Sequence, residues 1–172
     1  MRSFVRAAAL AALLAVGGAA LAPAPLRAQD EGIPVGTAAP AVTINDLDGT
    51  PVDLGKVIGT RPVVLEFWAT WCEICRALMP RVREAAAQYG GQVAFYGVNV
   101  TVNQTPAKVR RYLDQHHPPF ITLYDAKGVG VRAYQAYTTS YVVIIDRHGK
   151  VAYTGSGADQ DLGAALARVT AG

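Results

Sequence analysis

Val63-Val64-Leu65-Glu66-Phe67-Trp68 is apolar at every position but one, and four residues further on begins the unit Cys72-Glu73-Ile74-Cys75, which holds the chain's only two cysteines. An apolar run of this length reads as a central strand buried on both faces. Ile74, Leu78, Val82 and Ala85 then recur at helical spacing, so a helix is expected over 72–89, with Gly90-Gly91 as its stop and Pro80 as a kink. A C-x-x-C on the first turn of a helix that follows a buried strand is built to be oxidised and reduced. With no third cysteine, these thiols pair only with each other or with a partner's sulfur. An inert cross-link is a poor account of them, because so short a loop yields little of the entropic stabilisation that longer loops give.

The remaining elements alternate around that unit. Residues 41–44 and 50–54 flank Asp46-Leu47-Asp48-Gly49 as a hairpin, and 29–40 reads as a flexible lead-in. A strand is expected over 93–100. A helix should follow, opened by Thr105-Pro106 and carrying Val109, Tyr112 and Leu113 on one face. A short strand at 120–124, a short helix at 128–134, a second hairpin of 141–146 and 151–154, and a closing helix at 159–169 complete the order. The expected class is α/β, a mixed sheet covered by helices.

The first 28 residues read as a signal peptide. Arg2 and Arg6 precede an apolar stretch at 7–21, and Leu26-Arg27-Ala28 offers a cleavage site before Gln29. The stretch falls short of the roughly 20 residues a membrane-spanning helix needs, though an uncleaved anchor is the alternative. The chain carries 16 Lys and Arg against 13 Asp and Glu. Removing Arg2, Arg6 and Arg27 leaves 13 of each, so nothing points to nucleic acid. Residues 29–172 suit one domain, with the folded part over 41–172. Export places the dithiol in an oxidising compartment, the periplasm or beyond.

Phe67-Trp68-Ala69-Thr70-Trp71-Cys72-x-x-Cys75, followed by Pro80, resembles the thioredoxin superfamily, and within it the exported TlpA/ResA-like thiol-disulfide oxidoreductases. Asp46-Leu47-x-Gly49, Ile145-Asp146-x-x-Gly149-Lys150-Val151 and an inserted strand and helix before Phe120 match that branch too. The resemblance implies a thioredoxin fold and no cofactor beyond the redox-active Cys72–Cys75 pair. It implies protein disulfide or dithiol substrates and a membrane thiol-electron donor, with cytochrome c maturation as one outlet. Cys72, at the helix N-terminus, is the expected nucleophile and Cys75 the resolving thiol. Trp71 should screen the site and Trp68 pack beneath it. Between the cysteines, Glu73 should oppose a Cys72 thiolate while Arg76 favours it, and Ile74 stands where the family usually has Pro.

Two residues depart from the expected surround. Glu66 interrupts an apolar strand, and a buried Glu without a role is costly. It lies six residues before Cys72, where thioredoxins carry a buried Asp, while Leu78 occupies the position at which ResA-like proteins carry a carboxylate. Glu66 is therefore the candidate proton acceptor for Cys75, with a solvated face or pairing to a Lys such as Lys56 as the bland alternative. Ser140, after Thr139, falls where the family places a cis-Pro facing the cysteines, so the groove for substrate backbone is expected at Thr139 and Ser140 with a trans peptide.

Rival chemistries are weaker. A copper- or zinc-handling protein would use Cys72 and Cys75 as soft ligands, with His116, His117 or His148 completing the shell. No thiol peroxidase arrangement surrounds Cys72, no hydrolase elbow occurs, and Gly128-Val129-Gly130 is too short for a nucleotide loop.

Overall fold

The computed structural model describes residues 32–171, so the expected signal peptide at 1–28 lies outside the described residues. Its centre is β3 (Val63–Trp68), buried along its whole length. Strand β4 (Ala94–Asn99) runs parallel to it on one side and β5 (Ile121–Tyr124) parallel to β4 beyond that. On the other side β6 (Tyr141–Ile145) runs antiparallel to β3 and β7 (Val151–Gly155) antiparallel to β6, giving the order β5-β4-β3-β6-β7. This is the mixed sheet of a thioredoxin fold. A separate hairpin of β1 (Thr43–Asn45) and β2 (Pro51–Asp53) packs over one face.

Each helix starts where a side chain satisfies backbone donors that would otherwise be orphaned. Helix α1 (Glu73–Tyr89) is capped by Cys72 and runs on through Pro80. Helix α2 (Pro106–His116) is capped by Thr105, whose hydroxyl accepts from the Lys108 N–H, with Pro106 at the position that needs no donor. Short α3 (Val129–Ala133) leads back to β6, and α4 (Leu162–Thr170) is capped by Asp161.

Alternation along β3 divides two cores. Val63, Leu65 and Phe67 point to the face covered by the β1–β2 hairpin and by Tyr134 and Tyr141. Val64 points to the opposite face, against Leu78 and Val82 of α1 and Leu166 of α4. Trp68 joins Cys72, Cys75, Val109 and Tyr112 in a smaller cluster at the end of the strand.

The lead-in corrects an expectation. Residues 32–40 are strapped to the start of β7 and the turn before it rather than loose. Gly36 N–H donates to Val151 O (2.7 Å), Val151 N–H to Thr37 O (2.9 Å) and Ala39 N–H to Gly149 O (2.9 Å). Ile33 is buried, and Tyr134 OH donates to Pro40 O (2.7 Å). The physical reason is that β7 is an edge strand whose outward backbone groups need partners.

Candidate active site: a helix-capping disulfide and a buried carboxylate

Cys72 and Cys75 are joined in a disulfide, their Cα atoms 5.3 Å apart. The Cys72 backbone is extended while its Sγ accepts from the Cys75 N–H at 3.0 Å, so this sulfur fills the role a Ser or Asp oxygen plays at an ordinary helix start. That hydrogen bond and the positive end of the helix both favour negative charge on Cys72 when the bond opens. Cys75 lies one turn in and is 2 % exposed.

Glu66 shares the α1 face of β3 with Val64 and Trp68, because side chains alternate along the strand. It is 1 % exposed, and neither carboxylate oxygen has a hydrogen-bond partner among the described residues. Its cross-strand neighbours are Gly97 and Val142. Gly97 leaves room for the Phe120 ring, since a Cβ there would stand 2.3 Å from that ring, and so an aromatic wall takes the place of a strand side chain. Desolvation by this burial pushes the Glu66 carboxyl up to about 8. The alternative pairing with Lys56 does not form; Lys56 is exposed and Glu66 is unpaired. Tyr112, packed against Trp68 with ring centres 5.2 Å apart, has its phenol raised by burial, an effect opposed by Arg76 and reinforced by Glu66.

Trp71 lies half-exposed beside the disulfide, its indole N–H donating to Val102 O at 2.8 Å. Ile74 is exposed on the first turn of α1. Glu73 and Arg76 form an ion pair with each other, both well exposed. The two charges expected to act on Cys72 in opposition are thus paired with each other, which weakens the influence of either alone.

Ser140 also departs from expectation. Its preceding peptide is trans, but the residue is 1 % exposed and offers no free surface to a groove. Its N–H donates to Phe67 O at 2.8 Å and its carbonyl accepts from Gln160, so the turn is sewn to the end of β3. Thr139, the other expected groove residue, is half-buried beside it.

His116 stacks on Tyr112, His117 ends α2 in a left-handed conformation, and the His148 N–H serves the β6–β7 turn. Among the described residues no group of three His, Cys, Asp or Glu converges in a way that would hold a metal. The rival metal reading thus lacks a third donor beside the cysteines.

Three participants escaped the sequence reading. Gln104 is buried and accepts from Thr70 N–H at 3.1 Å, fixing the turn before Cys72. Phe120 walls Glu66, and Gln160 holds Ser140. Only Phe120 carried a signal, as an aromatic opening a strand; a Gln in a polar loop carries none.

A disulfide that caps a helix at the end of a central parallel strand, in this sheet, defines a thiol-disulfide oxidoreductase of the thioredoxin fold. The chain belongs to the Redoxin family, whose profile matches residues 34–168, and within the thioredoxin superfamily it is ResA/TlpA-like. It is 32% identical over 125 residues to the thioredoxin-like protein YneN of Bacillus subtilis, covering 72% of each chain. It is 28% identical over 126 residues to the thiol-disulfide oxidoreductase ResA of Bacillus thuringiensis, covering 72% of this chain and 70% of that one. A secreted Mycobacterium tuberculosis disulfide oxidoreductase homologous to E. coli DsbE superposes with a TM-score of 0.64 at 26% identity, covering 76% of this chain and 96% of that one.

Proposed function

We propose that this protein is an exported, periplasmic disulfide reductase that cycles Cys72–Cys75 without a bound cofactor, with Glu66 as proton acceptor for Cys75. The observation that carries the reading is Glu66 itself: a fully buried carboxyl with no partner, on the α1 face of the strand that leads into Cys72. A base near 8 is matched to a thiol of ordinary pKa, about 8.5, so proton transfer between them is nearly level in energy.

In the reduced protein the Cys72 thiolate attacks one sulfur of a substrate disulfide, forming a mixed disulfide and releasing the other sulfur as a thiolate. The Cys75 thiol gives its proton to Glu66 and attacks Cys72 Sγ; the second substrate sulfur leaves, and two electrons have passed to the substrate. Glu66 is now protonated. When a donor dithiol attacks Cys72, the departing Cys75 thiolate takes that proton back; the donor's second sulfur then displaces Cys72 as a thiolate, leaving the donor oxidised to a disulfide.

A membrane thiol-electron donor fits an oxidising compartment, where a reductant must be continually recharged. Cytochrome c maturation or disulfide repair is the proposed outlet. Support for export comes from the Arg-led apolar segment at 2–21 and from the secreted relative.

The test is insulin reduction by wild type and Glu66→Gln as a function of pH. Wild type should gain rate through about 8 as the carboxyl ionises. The variant should lose that limb and fall by roughly 10²-fold, the scale of a lost general base. An identical profile in both proteins would sink the proposal. Direction is read from the reduction potential: about −270 mV, as in thioredoxin, supports a reductant, and about −120 mV, as in DsbA, an oxidant.

A further inference from the structure

Four non-glycine residues among those described have positive φ, and of these only Ser140, at φ 62°, is buried. Such a conformation persists when the surroundings over-determine it. The surroundings here are a closed set of hydrogen bonds around one amide. Gln160, 4 % exposed, donates from Nε2 to Ser140 O (2.9 Å) and to Gly157 O (2.8 Å), and its Oε1 accepts from Tyr153 OH (3.2 Å). Gly157 N–H donates back to Ser140 Oγ at 3.1 Å. Every polar atom of the Gln160 side chain is used.

Two glycines make the clasp possible. Gly157 takes φ 98°, and a Cβ on Gly155 would stand 2.3 Å from the Tyr153 hydroxyl oxygen and 2.9 Å from Gln160 Oε1. The clasp is also tied to the helix that bears Cys75. Arg81 of α1 donates from Nε to Ala158 O and from Nη2 to Asp159 Oδ1, each at 2.9 Å. The turn is thus fixed to β3 through Phe67 O, to the β7–α4 loop through Gln160, and through that loop to α1.

One residue is left over by this set. Thr139 is half-buried, and its backbone N–H and C=O have no partner among the described residues. It lies at the end of β3 from which the chain runs to Cys72. We propose that Gln160 is a positioning residue for disulfide exchange with protein substrates: its buried amide, set over Gly155 and Gly157, holds the Thr139–Ser140 turn so that the Thr139 backbone meets an extended substrate chain. The inference rests on the thiol-disulfide chemistry assigned above and adds a residue that touches neither sulfur nor substrate. It also accounts for the absence of proline at this position. Proline has no N–H for Phe67 O and holds φ near −65°, so it does not fit this turn, whereas glycine does.

The experiment uses the reduced chain with two oxidants: insulin, which must dock, and 5,5′-dithiobis(2-nitrobenzoate), which need not. Gln160→Met fills the same space without the donors. It should raise KM for insulin roughly five- to tenfold, the scale of about one net hydrogen bond to substrate, with kcat, the small-disulfide rate and the reduction potential unchanged. Ser140→Pro should raise KM at least as far as Gln160→Met does. An unmoved KM in Gln160→Met, a lower KM in Ser140→Pro, or a parallel loss of the small-disulfide rate overturns the inference. The wild-type rate with insulin tests exchange chemistry itself, while the variant-to-wild-type KM ratio tests the clasp in whichever direction exchange runs.

Discussion

Asp125 and Glu66 are both buried carboxylic acids on the same sheet, 2 % and 1 % exposed, and they are placed in opposite circumstances. Asp125 follows the last residue of β5, just ahead of α3. Its Oδ1 accepts from Val129 N–H (2.7 Å) and its Oδ2 from Val131 N–H (2.9 Å), donors that a helix start leaves open. Glu66 sits in the middle of a six-residue strand flanked on both sides. There the neighbouring N–H groups are engaged in the ladder, and the side chain finds none to accept from. Burial alone therefore does not decide what a carboxylate does. The supply of donors does: Asp125 becomes a fastener, and Glu66 is left able to take up and release a proton.

The contrast is sharpest in pH-dependent stability. Glu66 has a folded-state value raised above the unfolded one, so its favourable contribution is complete below about 4.5 and is lost as pH rises through about 8. Glu66→Leu removes that dependence. In denaturant titrations of the oxidised protein, the stability of the variant relative to wild type should grow by roughly 4 kcal/mol between pH 4.5 and pH 9. A constant difference across that range would mean that Glu66 is ionised and solvated after all.

Asp125→Ala should act the other way, leaving two buried N–H groups without acceptors and lowering stability by about 3 kcal/mol. Insulin reduction per folded molecule should stay at the wild-type level. A changed pH profile for that reaction would erase the distinction between the two acids. The smallest effect belongs to the exposed acid beside the sulfurs. Because Glu73 is already neutralised by Arg76, Glu73→Gln should alter the rate of Cys72 with a small disulfide by no more than about twofold, and less in high salt.

The parts of the molecule that were legible beforehand are those where one residue type has one physical use. The apolar run at 63–68, the cysteines on the turn after it and Pro106 at a helix start each announce their place without reference to distant residues. Glu66 was legible for the same reason, as a charge in a strand with no solvated face. Ser140 was legible only as a missing proline. That it would be buried and left-handed depends on Gln160, twenty residues away, and on two glycines that make room for it. The lead-in was misread because its partners, Gly149 and Val151, lie more than a hundred residues downstream on an edge that local composition does not reveal. The Glu73–Arg76 pair was visible by spacing, yet its contact needed both side chains placed.

The strap at 32–40 has a bearing on how copies of this protein can meet. A sheet grows from molecule to molecule only if each one offers two free edges, one to receive and one to extend. Here the first residue of β7, Val151, is already bonded to the protein's own chain through Gly36 and Thr37. A second copy meeting this edge would find its start taken and only the stretch beyond Val151 to pair with. A cut at residue 28 would spare the strap, whereas trimming the chain as far as residue 40 would free the start of the edge as well.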